Sequence, residues 1–518
     1  MGFSELLIVL LVLPLIATVV MALFPSKSVP MYAYESVHVV SVAFVLVLGA
    51  YLVVTEFQTG EAITAGGMWF RLDSLSSIFV SLICIVGVLV GIFSIPYIRH
   101  DVEAGHMEPR QVKTYYCFFS LFIFTMLLAA VSNNIIMMWI CIEATTLSTV
   151  FLVGVYETKL ALEAAWKYVI VCTAGVAFGL YGTLLVYANA ADVMADSTQA
   201  VFWTSIVPIA DKLDPTIITI AFTFAVIGFG TKAGLFPMHT WLPDAHSEAP
   251  SPVSALLSGV LLKCAVLVII RFYVISVNCI TSSYPQIILL VIGLLSVVYA
   301  AFAVFKQDDI KRKLAYSSCE NIGIIALCLG IGGPLGIAAA LLHCIFHGCT
   351  KALMFCLSGN VLMKYDSRDL KRVSGMIQVA PASGVLLLLG CFAISAFPPF
   401  AMFTSELGMF VASLEAGYLW LAIVVGLALT VIVAAFVMMG VRAVLGKPPE
   451  DVKKGEVSAL AIVPEIILAV CILWFGIAMP QQMMTGVDNA TEIVLQQDVD
   501  PEETGSLLSG VSSLIGNE

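Results

Sequence analysis

Charged residues are scarce in this sequence, where they make up 11% of the 518 residues while apolar residues make up 60%. A soluble globular domain carries roughly 25% charged residues. The mean hydropathy is +1.02. This composition excludes an ordinary soluble protein and indicates a chain that lies largely within a membrane.

Signatures of nucleotide, haem and zinc sites are also missing. The sequence has no Walker A motif, no GxGxxG after a strand, no CxxC pair and no HExxH, each of which places ligands at a fixed spacing. The 13 cysteines are dispersed through apolar segments, which favours a packing role. An ATP-driven pump is therefore disfavoured, and the energy source must be an ion gradient or a partner chain.

The apolar residues group into fourteen spans, which predict an all-α polytopic membrane protein. A helix of about 20 apolar residues crosses a bilayer. The first span has no basic residue before it and no small-residue cleavage site, so a transmembrane helix is expected there and not a signal peptide. The spans cover residues 5–24, 31–55, 74–96, 114–131, 133–155, 164–189, 216–245, 251–275, 284–305, 314–331, 335–361, 375–413, 417–442 and 457–479.

The basic residues support this division. With the N-terminus outside, seventeen of the 24 Lys and Arg residues fall in inside loops, where cytoplasmic segments concentrate them. Both termini are then outside, and the acidic tail after residue 487 is read as a solvated terminus. The inside residues are Lys27, Arg99, Arg110, Lys113, Lys159, Lys306, Lys311, Arg312, Lys313, Lys364, Arg368, Lys371, Arg372, Arg442, Lys447, Lys453 and Lys454; the outside ones are Arg71, Lys212 and Arg271; the tail holds Asp498, Asp500, Glu502 and Glu503.

Two spans are too long for one straight crossing, and prolines at Pro237 and at Pro398 and Pro399 predict a break in each. Broken helices at corresponding places in two halves are typical of transporters built from inverted repeats. We therefore predict two inverted five-helix repeats, each with one broken helix. The predicted divisions are 1–112 (spans 1–3), 113–278 (spans 4–8), 279–445 (spans 9–13) and 446–518 (span 14 and the tail).

Ionisable residues recur within the spans. A charge at mid-bilayer costs at least ~2.5–3.5 kcal/mol, so such residues mark function by default. For any single ionisable residue, a simpler explanation is a structural ion pair or a lysine that snorkels to the membrane surface. For Lys167 this explanation is as good as a functional role. The main candidates are Glu143, Lys232, Lys263, His343, His347, Lys351 and Glu406, and further candidates are Glu320, His246, Asp244 and Lys167.

The segment HCIFHGCTK places His343, His347 and Lys351 four residues apart, so on a helix they share one face. A neighbouring carboxylate can switch a buried lysine between holding and releasing a proton, and a Glu143–Lys232 pair would be such a switch. Histidines can relay protons between distant lysines. A haem or metal site is disfavoured, because the two histidines lie one turn apart on one helix without an obvious third ligand.

At these residues the sequence resembles the antiporter-like membrane subunits shared by respiratory complex I, Mrp-type sodium/proton antiporters and energy-converting NiFe hydrogenases. The resemblance covers most of the chain. Its motifs are AAWKY at 164–168, TKAGLFPMHTWLPDAHSEAPSPVSALLSG at 231–259, KRKLAYSSCENIG at 311–323, HGCTKALMFCLSG at 347–359 and FPPFAMFTSELG at 397–408.

The resemblance implies that Glu143 and Lys232 form a coupled pair and that Lys263 is the central proton carrier. It also implies that the stripe of His343, His347 and Lys351 is the link along a hydrophilic axis through the protein. Glu406 would be the terminal proton carrier of this axis. Many relatives have lysine at that last position and an uncharged polar residue in place of Glu320.

The stretches at 132–156 and 162–172 look closest to component F of the hydrogenase 4 type, and no long apolar or amphipathic extension is expected after span 14. This resemblance implies a non-catalytic, proton-translocating subunit of a redox-driven complex in the inner membrane of a prokaryote. The expected partners are further antiporter-like chains, lipids, and a peripheral redox arm on the cytoplasmic side. The loops 99–113 and 307–313 are expected to face that side. Cofactors are expected only in partner subunits, as a NiFe centre and iron–sulfur clusters, and no nucleic acid is expected.

Two other functions stay open on the sequence. One is sodium/proton exchange in an Mrp-type assembly, since sodium prefers oxygen ligands. The other is a scaffold that conducts nothing, which the cost of so many intramembrane charges argues against. Candidate sodium ligands are Thr145, Thr146, Ser148, Ser317 and Ser318.

Overall fold

The computed structural model describes residues 2–25 and 29–499. Lys27 of the predicted inside loops and Asp500, Glu502 and Glu503 of the acidic tail lie outside the described residues. The first half forms α1 (Phe3–Leu23), α2 (Met31–Thr59), β1 (Ile63–Ala65), β2 (Phe70–Leu72), α3 (Ser74–Glu103), α4 (Pro109–Val131), α5 (Ile135–Val153), α6 (Lys159–Val193), α7 (Trp203–Ile206), α8 (Pro215–Ala233), α9 (Leu242–Glu248), α10 (Ser251–Leu256) and α11 (Leu262–Cys279).

The second half is helical throughout its described part. Its elements are α12 (Tyr284–Lys306), α13 (Ile310–Ile331), α14 (Gly333–Tyr365), α15 (Met376–Val379), α16 (Pro381–Ile394), α17 (Ala401–Glu415), α18 (Leu419–Val444), α19 (Ala459–Ile477) and α20 (Gln481–Leu495). Strands β1 and β2 pair antiparallel. Short 3₁₀ segments cover Ser197–Val201, Val207–Lys212 and Met238–Trp241, and a π-helical turn covers Leu257–Leu261.

The predicted all-α polytopic fold is confirmed. Within the described residues, thirteen helices are long and apolar enough to cross a membrane. The one remaining predicted span, 375–413, corresponds to the pair α16 and α17, each of which is too short by itself to cross a membrane. The two breaks lie where the prolines predicted them, after α8 and between α16 and α17. The inverted relation of the two halves stays a prediction, as do the four predicted divisions.

Burial divides the helices into a central and a peripheral set. In the apolar stretches of Ser251–Cys279 and Gly333–Tyr365 every residue is buried. In those of α1 and α18 only 33% of the residues are buried. Peripheral helices therefore turn apolar faces outward, as contact with lipid requires. The charged stripe predicted in 343–351 lies in a helix that is shielded from lipid on all sides.

Glycines set the closest helix contacts. A Cβ atom at Gly228 of α8 would lie 2.2 Å from the backbone nitrogen of Gly179 in α6, and one at Gly293 of α12 would lie 2.8 Å from the carbonyl oxygen of Gly323 in α13. Small residues of this kind let helix backbones approach in a membrane. Each half of the chain thus contains one helix pair joined through glycines.

The basic loops that were predicted to share one side of the membrane contact one another. Arg368 binds Glu248 at 2.6 Å and Asp309 at 2.7 Å. Lys371 donates to Asp308 at 3.0 Å, and this hydrogen bond lowers the pKa of the Asp308 carboxyl. The loop 307–313 is therefore tied to its own chain, and docking of another subunit there stays a prediction.

Helix α20 is a short amphipathic helix of 15 residues after span 14, where no long apolar or amphipathic extension was expected. It buries Val487, Ala490 and Val494 and packs on α2, α3 and α14. Its polar residues lower the mean hydropathy of the segment, so the segment does not stand out in the sequence as an apolar run.

Replacement of Gly228 by Ala tests the glycine contact. We expect a loss of about 1–3 kcal/mol in the free energy of unfolding, because the added methyl overlaps the α6 backbone. Thermal unfolding of the purified protein in detergent measures it. Gly426→Ala is the matched control, because the nearest atom to a Cβ there is 3.8 Å away and alanine favours a helix. Equal stability of the two variants would contradict this packing.

Candidate functional site

The predicted stripe on α14 forms. His343, His347 and Lys351 are completely buried, and the two imidazole rings lie nearly parallel with centroids 6.0 Å apart. The Lys351 ammonium donates to the carbonyl oxygen of Leu314 in α13 at 2.6 Å. Since three titratable groups follow one another along one helix face, a proton could pass along that face by short transfers.

A polar cluster from three helices surrounds His343, at one end of this stripe. The Nε2 of His343 lies 3.0 Å from the Asn321 side-chain oxygen, and its Nδ1 lies 2.9 Å from the Ser405 hydroxyl. The Asn321 amide also donates to Glu320, which is itself buried. His343 is thus joined to Glu320 through one amide and to the helix of Glu406 through one hydroxyl.

Glu406 lies on α17, next to Ser405 and a short distance after the break between α16 and α17. Its side chain is buried, and no hydrogen-bond partner for it occurs among residues 2–25 and 29–499. A carboxylate in this position has little to stabilise its charge. Glu406 is therefore suited to hold a proton.

Lys263 lies immediately after the π-helical turn of residues 257–261. It is completely buried, and its ammonium donates to the Ser258 carbonyl at 2.5 Å. The Ser258 hydroxyl lies 2.7 Å from the Ser318 hydroxyl of α13. A π-turn leaves carbonyl groups free that an α-helix would occupy, so the irregular backbone supplies the acceptor for this lysine.

The expected Glu143–Lys232 ion pair is not present in this structure. The Lys232 ammonium donates to the Thr146 hydroxyl at 2.8 Å and to the Tyr168 hydroxyl at 2.6 Å. Glu143 instead accepts a hydrogen bond from Thr173 at 2.7 Å. Helix α6, which carries Tyr168 and Thr173, packs against both α5 and α8, so Lys232 and Glu143 each bind a different residue of this helix.

Two buried histidines, His246 and His347, lack a hydrogen-bond partner at both ring nitrogens within the part of the chain that the structure describes. His246 lies in α9 and its ring stacks on Phe355 of α14 at 5.0 Å. Buried polar atoms are normally satisfied by protein or by ordered water, so these nitrogens mark places where water would complete the hydrogen bonding.

Asp244 and Lys167 lie apart from this axis. They form an ion pair at 2.5 Å, and Arg312 binds the other carboxylate oxygen at 2.9 Å. The side chains are partly exposed, with 42% of the Lys167 side chain accessible. This geometry favours the simpler explanation, in which Lys167 holds helices together at the surface.

The sequence reasoning missed several polar residues that complete the site. Tyr168, which binds Lys232, and Asn321, which joins Glu320 to His343, stand inside the motifs AAWKY and KRKLAYSSCENIG. Lys311 was expected in an inside loop, but it is buried and donates to the Ala249 carbonyl. Neutral polar residues carry no large desolvation signal in a sequence, and for that reason they were not selected.

A metal centre finds no support in the described ranges, which contain no group of three or more His, Cys, Asp or Glu side chains that could hold an ion. Twelve of the 13 cysteines are buried and all are free, which agrees with a packing role.

Comparison with known protein families gives two matches. Residues 132–432 match the family described as NADH:quinone oxidoreductase/Mrp antiporter, TM. Residues 65–105 match the family described as NADH-Ubiquinone oxidoreductase (complex I), chain 5 N-terminus. The first match covers more than half of the chain, including every candidate of the axis from Glu143 to Glu406.

Similar proteins agree with these matches. The chain is 39% identical over 390 residues to the hydrogenase-4 component F homolog of Methylacidiphilum infernorum, which covers 74% of this chain and 81% of that protein. The fold resembles a subunit of the membrane-bound sulfane sulfur reductase, an archaeal respiratory membrane complex (TM-score 0.84, 24% identity, 97% and 100% coverage). It also resembles a subunit of the Mrp complex from Dietzia (TM-score 0.82, 18% identity, 98% and 99% coverage).

The contrast between surface and buried ion pairs can be tested with two isosteric changes. Asp244→Asn should cost less than about 1 kcal/mol in the free energy of unfolding, because its pairs are partly exposed. Asp73→Asn should cost about 3–5 kcal/mol, because it leaves Arg271, bound at 2.7 Å and buried, without a counter-charge. Thermal unfolding in detergent measures both, and similar losses would contradict the assignment of Asp244 to the surface.

Proposed function

The chain belongs to the family of NADH:quinone oxidoreductase and Mrp antiporter membrane subunits, and from this premise we propose that it translocates protons within a redox-driven membrane complex. The proposed carriers form an axis through the middle of the protein. They are Glu143, Lys232, Lys263, His343, His347, Lys351 and Glu406, with Glu320 and His246 as additional sites.

The observation that carries this proposal is the environment of Lys263. It is completely buried, its one described partner is a carbonyl oxygen, and no carboxylate faces it within 4.0 Å in the described part of the chain. A buried ammonium without a counter-ion is costly, while a neutral amine can still donate to the carbonyl. Small changes in the surroundings can then decide whether the proton stays.

The hydrogen bonds suggest how protons pass between the main carriers. Lys232 contacts the hydroxyl groups of Thr146 and Tyr168, and hydroxyl groups both donate and accept. Lys263 donates to the backbone carbonyl of Ser258, and the hydroxyl of that same serine is paired with the hydroxyl of Ser318. Water at the unpartnered His347 nitrogens would join these groups to the stripe. The axis is therefore a series of titratable groups separated by neutral polar links.

Electron transfer is assigned to other subunits. We expect a NiFe centre and iron–sulfur clusters in partner chains, as the resemblance to a hydrogenase-4 component implies, and further antiporter-like chains beside this one. The redox arm would sit on the side of the basic loops, facing the cytoplasm of a prokaryote, with both termini outside. Moving one proton against ~100 mV requires about 2.3 kcal/mol, which a redox step can supply.

Sodium exchange is the less favoured alternative. Of the candidate sodium ligands, Thr146 already accepts a hydrogen bond from the Lys232 ammonium, and Ser318 bonds the serine that precedes Lys263 by five residues. A second cation at either place would be repelled by the lysine. The hydroxyl groups therefore fit proton transfer better than sodium binding.

Lys263→Ala tests the function directly. We expect it to abolish proton translocation while the complex still assembles, because the central carrier is lost. The measurement is proton uptake into vesicles that contain the complex, driven by its redox reaction. Lys453→Ala, which removes an exposed loop lysine, is the matched control. A normal proton yield in Lys263→Ala would sink the proposal, and a sodium requirement at fixed pH would favour exchange.

Tyr168→Phe tests the bridging group beside Lys232. Loss of one of two hydrogen bonds to the ammonium is worth about 1 kcal/mol, so we expect proton translocation to slow roughly fivefold. The same vesicle assay measures the rate. Tyr181→Phe on the exposed face of the same helix serves as the control, and equal rates for the two variants would argue against a role for Tyr168.

A further inference from the structure

Glu465 is a completely buried carboxyl group that the axis described above does not include. It lies in α19, six residues after the helix begins at Ala459. Its Oε2 accepts a hydrogen bond from the side-chain amide of Asn360 at 2.8 Å. Asn360 lies on α14, nine residues after Lys351, so this carboxyl is attached to the helix that carries the stripe.

The pair of Glu465 and Asn360 contains two unsatisfied oxygens. Neither Oε1 of Glu465 nor Oδ1 of Asn360 has a hydrogen-bond partner in the described part of the protein, and both atoms are buried. An ionised carboxylate offers only acceptors, whereas a protonated one has a single O–H donor. One proton on Oε1 would supply the donor that the Asn360 oxygen lacks and would remove both defects together.

A chain of polar groups leads from this pair to the surface. The Asn360 amide also donates to the Ser383 hydroxyl at 3.0 Å, and that hydroxyl donates to Glu456 at 2.7 Å. Glu456 borders an open cleft of about 330 Å³ on the side of the basic loops. Three side chains, those of Asn360, Ser383 and Glu456, therefore lie between Glu465 and bulk water.

We propose that Glu465 is a further proton-binding residue, a carboxylic acid paired with Asn360 that takes up and releases a proton at the side of the basic loops. This inference rests on the proposed function. Water in the cleft beside Glu456 is the source of the proton, and because an amide does not itself pass a proton, uptake and release require the Asn360 side chain to move aside so that this water reaches Oε1. Release leaves Oε1 as an anionic oxygen that needs a donor, so the Asn360 amide must reorient. Because Asn360 belongs to α14, the change is transmitted to the stripe.

Glu465→Gln tests this inference without disturbing the pair. The glutamine carbonyl can accept from Asn360 and its amide can donate to the Asn360 oxygen, which reproduces the protonated state permanently. We expect normal assembly and proton translocation reduced severalfold in the vesicle assay. Glu450→Gln is the control, because Glu450 is exposed and lies in the loop between α18 and α19. This variant should translocate protons as the unmodified complex does.

Infrared spectroscopy of the intact complex supplies a readout that does not depend on transport. At neutral pH one carboxylic acid C=O band should be present in the unmodified complex and in Glu450→Gln and missing in Glu465→Gln, while the bands of other protonated carboxyl groups, such as that of Glu406, stay in all three. Unchanged translocation in Glu465→Gln, an unchanged infrared band, or failure of that variant to assemble would each overturn the inference. Normal translocation in Lys263→Ala would instead reject the proposed function, while the infrared result still reports the proton on Glu465.

Discussion

The structure depends on keeping ionisable side chains away from lipid. A charged group at mid-bilayer costs free energy. The helices that carry Lys263 and the stripe at 343–351 are the ones whose apolar stretches are completely buried. Peripheral helices carry apolar faces and the basic loops lie at one end of the bundle. The fold thus places its titratable groups inside a wall of apolar helices, where water and neighbouring dipoles decide their protonation.

Irregular backbone is the second requirement. Three of the proposed carriers lie close to such a segment. Helix α8 ends one residue after Lys232, and the π-turn ends two residues before Lys263. The break before α17 ends six residues before Glu406. Non-helical backbone at membrane depth is tolerated where protein surrounds it. At Lys263 the consequence is visible, since the Ser258 carbonyl of the π-turn accepts the ammonium hydrogen bond. Close glycine contacts between helices hold these segments in place.

Much of this arrangement could be predicted from the sequence because charge is rare in apolar spans. Lys263 and the three residues of the stripe stood out for that reason, and prolines marked the two breaks. The partners of the charges could not be predicted. That Lys232 binds Thr146 and Tyr168, and that Glu143 binds Thr173, is set by tertiary packing and has no signal in the sequence.

Two features were missed for different physical reasons. Glu465 lies near the start of its span, where a carboxylate is readily taken to reach the membrane surface, and its burial arises from contacts with α14 and α16. Helix α20 is amphipathic, and its apolar face is recognised by its spacing and not by mean hydropathy. Buried polar networks of this kind need the three-dimensional contacts to be seen.

The most direct test of the proton axis is a cryo-EM map of the intact complex at a resolution that shows ordered water. The account predicts water molecules bound at the unpartnered nitrogens of His246 and His347, linking Lys263 to Lys351 in a continuous hydrogen-bonded chain. A dry, closely packed interior between these side chains would contradict it, because protons would then have no route from one carrier to the next.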